Sequence, residues 1–220
     1  NFYTTTIYEK GSEIIRMLCT LVKDQSFYSS FSKYITNYDG KAATIDQFID
    51  EFLKNKKEIN TKKFKIWYKQ NGTPKVKFKR IWDESKQNLI IQASQSNCYK
   101  NNSYNKLPLI IPINLAIISN NEKIITETII LKEKKEEFVF KNIKTDFQVP
   151  LVTYFRSFSA PVEWETDTTF NEKLLIIESE TDYFTIYDTV KSLYKTIIAN
   201  RLANNVDFNI ENNLIKTLGK

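Results

Sequence analysis

The sequence predicts an α+β, multidomain chain: a block of helices, then an antiparallel β-sandwich, then helices again. Three observations carry this reading. Apolar residues recur at helical spacing over roughly the first 70 of the 220 residues. At Thr73-Pro74 the period drops to two, and strand-like runs then follow one another with no helical pattern between them. Helical spacing resumes at Phe170. With 41% hydrophobic and 14% aromatic residues, the chain carries too much large apolar surface to be disordered. Only 4 Gly and 5 Pro exclude a collagen-like or low-complexity chain. No apolar run approaches the ~18 residues of a membrane span.

In the first block, Ile7, Ile14, Ile15, Leu18, Leu21 and Val22 mark a helix behind a Thr4-Thr5-Thr6 cap. Phe27, Phe31, Tyr34 and Ile35 mark a second, ending at Asp39-Gly40. Thr44 and Gln47 have the spacing of a capping box ahead of Ile45, Phe48, Ile49, Phe52 and Leu53. A short fourth helix carries Phe64, Trp67 and Tyr68 and stops at Asn71-Gly72. Val76 and Phe78 then alternate with Lys75, Lys77 and Lys79, as in a half-buried strand. Further strands are expected over 89–94, 109–118, 123–131, 137–141 and 149–155, with turns over 97–105, 119–121 and at Lys141-Asn142. A span from Thr73 to about Trp164 suits a sandwich of roughly 100 residues. In the last block, Phe170, Leu174, Leu175 and Ile177 form a short stripe. Asp182 caps a longer helix bearing Ile186, Val190, Leu193, Tyr194, Ile197 and Ile198, and a third stripe starts near Ile210.

The formal charge is +6, and its excess is concentrated. Residues 54–80 hold eleven cations, the first Lys54 and the last Arg80, against Glu58 alone. Such a run suggests a polyanion. Yet the chain has 28 Lys and only 4 Arg, and readers of phosphate and base edges favour Arg. A solvated lysine face is the simpler reading, and no nucleic-acid partner and no membrane span are expected. Two cysteines, Cys19 and Cys98, cannot staple a fold of this size, which favours a reducing compartment such as the cytoplasm. The chain starts at Asn1, on an aromatic residue and without a signal-type segment, and reads as a piece of a longer protein.

There is no His, so a Ser-His-Asp or Cys-His pair is excluded and the commonest zinc ligand is missing. Cys19 falls between the apolar and polar faces of the first helix with no base near it, and reads as a packed thiol. The 4 Gly form neither a P-loop nor a dinucleotide fingerprint. Tyr8 is the one position of geometric interest. In the first turn of a helix its side chain leans towards the N-terminus and past the helix start, with Gly11 and Ser12 leaving room beside the ring. That presents a phenol at a mouth; a rim tyrosine packed among 12 is the alternative.

The segment 1–17, NFYTTTIYEKGSEIIRM, resembles the part of the aminopeptidase N family of zinc metallopeptidases that follows the zinc site. The likeness continues in order: Tyr38-Asp39-Gly40 with Ala43, Thr44, Asp46 and Phe48; Trp67-Tyr68-Lys69-Gln70-Asn71-Gly72-Thr73-Pro74; PLIIPI over 108–113; FVFKN over 138–142; and FSAPV over 158–162. It is nearest to the bacterial alanyl-aminopeptidase branch. The resemblance implies a Zn²⁺-dependent parent enzyme that removes single residues from peptide N-termini. Its zinc ligands and amino-group anchor belong to the upstream part of the catalytic domain, and this chain holds no metal ligand. Tyr8 maps onto the tyrosine that hydrogen-bonds the oxyanion of the tetrahedral intermediate. Tyr3 maps onto an aromatic beside the substrate cleft. Residues 1–72 would finish a thermolysin-like catalytic domain, 73–169 would be an Ig-like sandwich, and 170–220 would start a helical superhelix. Cys19 and Asn71 stand where the family usually has His and Ser.

Two functions from different classes follow. One is a fragment of a zinc aminopeptidase that supplies the oxyanion tyrosine but no zinc ligand, and is inactive alone. The other is a non-catalytic remnant or β-sandwich binding module. The retained YEKG block over 8–11 favours the first, since a scaffold would not need it.

Overall fold

The computed structural model describes residues 3–97, 107–119 and 124–219. Cys98, most of the 97–105 turn, and Asn120, Asn121 and Lys123 lie outside the described residues, as do Asn1 and Phe2.

Four helices open the chain: α1 (Lys10–Val22), α2 (Asp24–Tyr38), α3 (Ile45–Leu53) and the short α4 (Thr61–Phe64). The expected threonine cap of α1 is absent. Thr4, Thr5 and Thr6 instead sit inside a π-helical segment, Tyr3–Glu9, that runs straight into α1. Three consecutive β-branched threonines make a poor α-helical start. Helix α1 buries Ile14, Met17, Leu18, Leu21 and Val22. Helix α3 begins at the expected capping box, with the Gln47 N–H donating to Thr44 Oγ1 and the Thr44 N–H to Gln47 Oε1. Helix α2 buries no residue; Phe31 and Ile35 of its expected stripe are exposed. It is held by aromatic contacts, Phe27 on Phe52 and Tyr34 on Phe48, with ring centroids 4.8 and 5.0 Å apart. The fourth expected helix is one α-turn continued as a 3₁₀ turn, Lys65–Tyr68.

Seven strands follow among the described residues. Sheet one has the order β5–β2–β1–β7 and sheet two the order β4–β3–β6, with β1 Pro74–Asp83, β2 Asn88–Asn97, β3 Ile111–Ile118, β4 Ile124–Leu131, β5 Lys135–Phe140, β6 Leu151–Thr153 and β7 Glu163–Glu165. The alternation read in β1 holds: Val76 and Phe78 are buried, Lys77 and Lys79 exposed. Strand β3 is buried on both faces, which suits its continuous apolar run. The sheets are not purely antiparallel, because β7 runs parallel to β1, with Val76 opposite Trp164. The chain leaves β6 in sheet two and crosses to the free edge of sheet one, and a crossover of this kind permits parallel pairing.

One continuous cluster of buried residues includes Leu18 of α1, Ile49 of α3, Phe64, and Ile91 and Ile113 of the two sheets. Burying each such side chain contributes about 1.5–3 kcal/mol. The first helices and the sandwich thus share a core. Helices α5 (Phe170–Ser179), α6 (Tyr183–Leu202) and α7 (Phe208–Leu218) close the chain. Asp182 caps α6 as expected, accepting from the Thr185 N–H at 2.9 Å. No helix among the described residues is long and apolar enough to cross a membrane.

Candidate functional site

Tyr8 lies on the π-helical segment rather than in a first α-turn, and segments with this wider bonding recur at functional sites. Its side chain is 69% exposed at the lip of an open cleft of about 990 Å³. Gly11 and Ser12 line the same cleft, and a Cβ added to Gly11 would meet nothing within 4 Å. Tyr3, at the start of the segment, is 66% exposed and does not line the cleft.

The far wall is the 67–72 stretch, and its shape follows from a few bonds. Trp67 is buried and donates its indole N–H to the Ile110 carbonyl at 2.8 Å. Gln70 Nε2 donates to the Leu107 carbonyl at 3.0 Å. The Trp67–Pro74 block is thereby tied to the PLIIPI block over 108–113, although about 40 residues separate them in sequence. Gly72 turns the chain with φ of 90°, a conformation that glycine adopts at least cost. Lys10 Nζ donates to the Gly72 carbonyl at 3.2 Å and spans the cleft. Burial pushes the Tyr68 phenol on this wall up to about 12, so it stays a neutral donor at physiological pH.

Cys19 donates its thiol to Asp24 Oδ1 at 3.3 Å. Burial first, then that hydrogen bond and the Asp24 charge, push the thiol up to about 11, which removes it as a nucleophile. Among the described residues no group of three or more Cys, Asp or Glu could hold a metal ion, and the chain has no His. The described residues therefore do not fit a zinc centre.

The eleven cations of 54–80 are not one solvated face. Six of them pair with acids: Lys54 with Glu51, Lys63 with Glu133, Lys65 with Asp46 and Asp50, Lys75 and Lys77 with Glu165, and Arg80 with Asp167 and Glu172. All seven of these acids lie outside 54–80, in the rest of the chain, which carries −4 where the run carries +10, for the total of +6.

Residues 1–68 match the model of the Peptidase family M1 domain, and residues 72–167 match that described as Domain of unknown function (DUF3458) Ig-like fold. Aminopeptidase N of Haemophilus influenzae is 30% identical over 203 residues, which cover 88% of this chain and 23% of that protein. Aminopeptidase N of Escherichia coli is 30% identical over 202 residues, with the same coverage.

The chain belongs to the aminopeptidase N family.

Aminopeptidase N of Caulobacter vibrioides is 31% identical over 196 residues, covering 88% of this chain and 22% of that protein. The chain spans about a quarter of the length of these aminopeptidase N relatives. The crystal structure of Legionella pneumophila aminopeptidase A in complex with aspartic acid superposes with a TM-score of 0.79 at 23% identity, over 91% of this chain and 22% of that one, and so shares the fold.

Sequence reasoning missed how the aminopeptidase N blocks are joined. Arg16, two turns beyond Tyr8 on α1, donates Nη1 and Nη2 to the carbonyls of Ser157 and Phe158 at 2.9 and 2.8 Å. It also lies 5.2 Å from the Phe158 ring centre. Phe155, Ser157 and Phe158 all have φ above 50°, so this non-glycine turn is strained. The Ser157 N–H and Oγ donate to Asp182, the α6 cap. The FSAPV block thus ties α1 to α6. The available signal was the rarity of arginine.

Proposed function

We propose that this chain is the part of a zinc-dependent aminopeptidase that brings the oxyanion-stabilising tyrosine to a peptide-cleaving site. The observation that carries the reading is the exposed Tyr8 side chain at the cleft lip, with open space over Gly11 for a substrate. When a peptide carbonyl is attacked, its oxygen gains negative charge, and a fixed phenol O–H aimed at that oxygen stabilises it more than it does the ground state. Tyr3, at the start of the same segment but off the cleft lining, flanks the part of the substrate that projects beyond the lip. Residues outside this chain would hold Zn²⁺ in the parent, where the metal would supply Lewis-acid chemistry. The substrates are peptides with a free N-terminus, the enzyme is cytoplasmic, and the chain alone is inactive. Residues 1–72 complete the catalytic domain, 73–169 form the sandwich and 170–220 begin a helical domain.

The test is Tyr8→Phe in the full-length parent. One donor is lost, so kcat should fall about 10²–10³-fold, while KM moves only a few-fold and zinc content and fold are kept. A folded, zinc-loaded variant with near wild-type kcat would refute the assignment.

A further inference from the structure

The π-helical segment Tyr3–Glu9 runs straight into α1 at Lys10. Every side chain described in that segment is exposed, so the segment reaches no core among the described residues. The place of the Tyr8 hydroxyl therefore follows from how α1 is set about and along its own axis. Ile14, Met17, Leu18, Leu21 and Val22 decide which side of α1 faces the core. Apolar burial is non-directional, so it resists a small turn or slide less sharply than a hydrogen bond does. A turn of about 10° moves a side-chain tip about 5–6 Å from the axis by roughly 1 Å. A misplacement of about 1 Å can cost a reaction about 10²-fold in rate.

Two cations on α1 supply directional bonds. Lys10, the first residue of the helix, donates Nζ to the Gly72 carbonyl at 3.2 Å. Arg16 donates Nη1 and Nη2 to the Ser157 and Phe158 carbonyls at 2.9 and 2.8 Å. A separation of six residues puts the two about 9 Å apart along the helix and about 120° apart around it. A single bond leaves α1 free to pivot about that point. Two bonds at different heights and on different sides fix its rotation and its rise together.

The far ends of both straps are themselves held. Gly72 ends a stretch in which Trp67 and Gln70 donate to the Ile110 and Leu107 carbonyls, just ahead of β3. The turn bearing Ser157 and Phe158 lies between β6 and β7. Its Ser157 N–H and Oγ donate to Asp182, and the Phe158 ring packs on Phe184 with centroids 5.2 Å apart. Gly72 stands just before β1, and Phe158 just before β7, so α1 is fastened to the first and last strands' approaches to the sandwich.

We infer that the sandwich is a positioning frame for the oxyanion tyrosine: Lys10 and Arg16 strap α1 to its two ends and so aim the Tyr8 hydroxyl. Lys10 lines the cleft, but its ammonium is turned to the Gly72 carbonyl, and Arg16 does not line it. Both are positioning residues that act through Tyr8, and the inference rests on the Tyr8 reading.

The test is a double-mutant cycle in the full-length, zinc-loaded parent, with kcat expressed per bound zinc. Lys10→Met and Arg16→Met should each lower kcat at least about fivefold and leave KM within about threefold, since the loss falls on the transition state. Arg16→Lys should recover part of the loss, because one ammonium cannot serve both carbonyls in the geometry of a guanidinium. In a Tyr8→Phe background the same two substitutions should each change kcat less than about twofold, because the group they aim is already gone. A role in stability alone would lower the thermal midpoint and leave kcat per zinc unchanged. Near wild-type kcat in Lys10→Met or in Arg16→Met would therefore overturn the inference. Equal losses with and without the Tyr8 hydroxyl would overturn it too, and would mean that Lys10 or Arg16 acts on the substrate or the metal site by another route. Either result, with Tyr8→Phe itself slow, leaves the Tyr8 reading standing; near wild-type kcat in Tyr8→Phe removes both.

Discussion

Arg16 grips two carbonyls of the strained 155–158 turn, Arg80 reaches from β1 to the start of α5, Arg156 meets Glu180 behind α5, and Arg201 joins α6 to Glu211 of α7. In a chain with 28 Lys, all 4 arginines occupy junctions between elements, where a planar fork can serve several acceptors at once and an ammonium cannot. Arg80 is the most enclosed, 5% exposed, bonded to Asp167, to Glu172 and to the Pro150 carbonyl. Replacing it with Met leaves two carboxylates without their shared partner. Arg80→Met should cost about 1.5–3 kcal/mol in urea unfolding, and Arg80→Lys should restore only part of that. An unchanged urea midpoint in Arg80→Met would show that the latch carries no stability.

Among the elements, helix starts were the most legible because the signal is local. Thr44 with Gln47, and Asp182 with Thr185, act at the positions and spacing that the sequence shows. Thr44→Ala removes the acceptor for the Gln47 N–H and should destabilise the chain by about 1 kcal/mol, read from the denaturant midpoint. A variant as stable as the parent chain would mean that α3 is held by Ile49, Phe52 and Leu53 alone. The π-helical segment was not legible, since a helix of either kind shows the same apolar stripe over so few residues. The parallel β7 was not legible either, because three residues of strand reveal no direction.

At the scale of the whole molecule, acidity and charge should have visible effects. Burial alone would raise the Glu172 carboxyl, but hydrogen bonds from Arg80 and the Thr169 backbone outweigh it and hold Glu172 below the usual range. Asp182 is likewise held low, burial being outweighed by bonds from Ser157 and Thr185. A lowered folded-state value means stability that is present above the ordinary carboxylate range, about pH 4, and lost as pH falls through the folded-state value. Amide protection in α5 and α6 should therefore hold from neutrality down to about pH 5 and fall below pH 4, ahead of the shared core of α1 and the sandwich. Simultaneous loss in all elements would contradict this order. The 54–80 run leads to a separate expectation. With six of its eleven cations already paired, duplex DNA should bind weakly and without sequence preference at physiological salt, with Kd on the order of 10⁻⁴ to 10⁻⁶ M. A nanomolar, sequence-selective complex would overturn it.

By itself the sequence determined the succession of helical and strand blocks, the caps of α3 and α6 and the family blocks. Each of these rests on interactions within a few residues, or on a pattern that repeats along one element. It also singled out Tyr8 and the space beside it, since Gly11 and Ser12 stand three and four positions away. Only the tertiary structure decided which distant groups meet: Trp67 with the Ile110 carbonyl and Arg16 with the 155–158 turn. It also split the basic run into ion pairs. The physical reason is that hydrogen bonds and charge pairs depend on separation in space, and the chain brings partners together across 40 to 140 residues through a core whose packing no local pattern encodes.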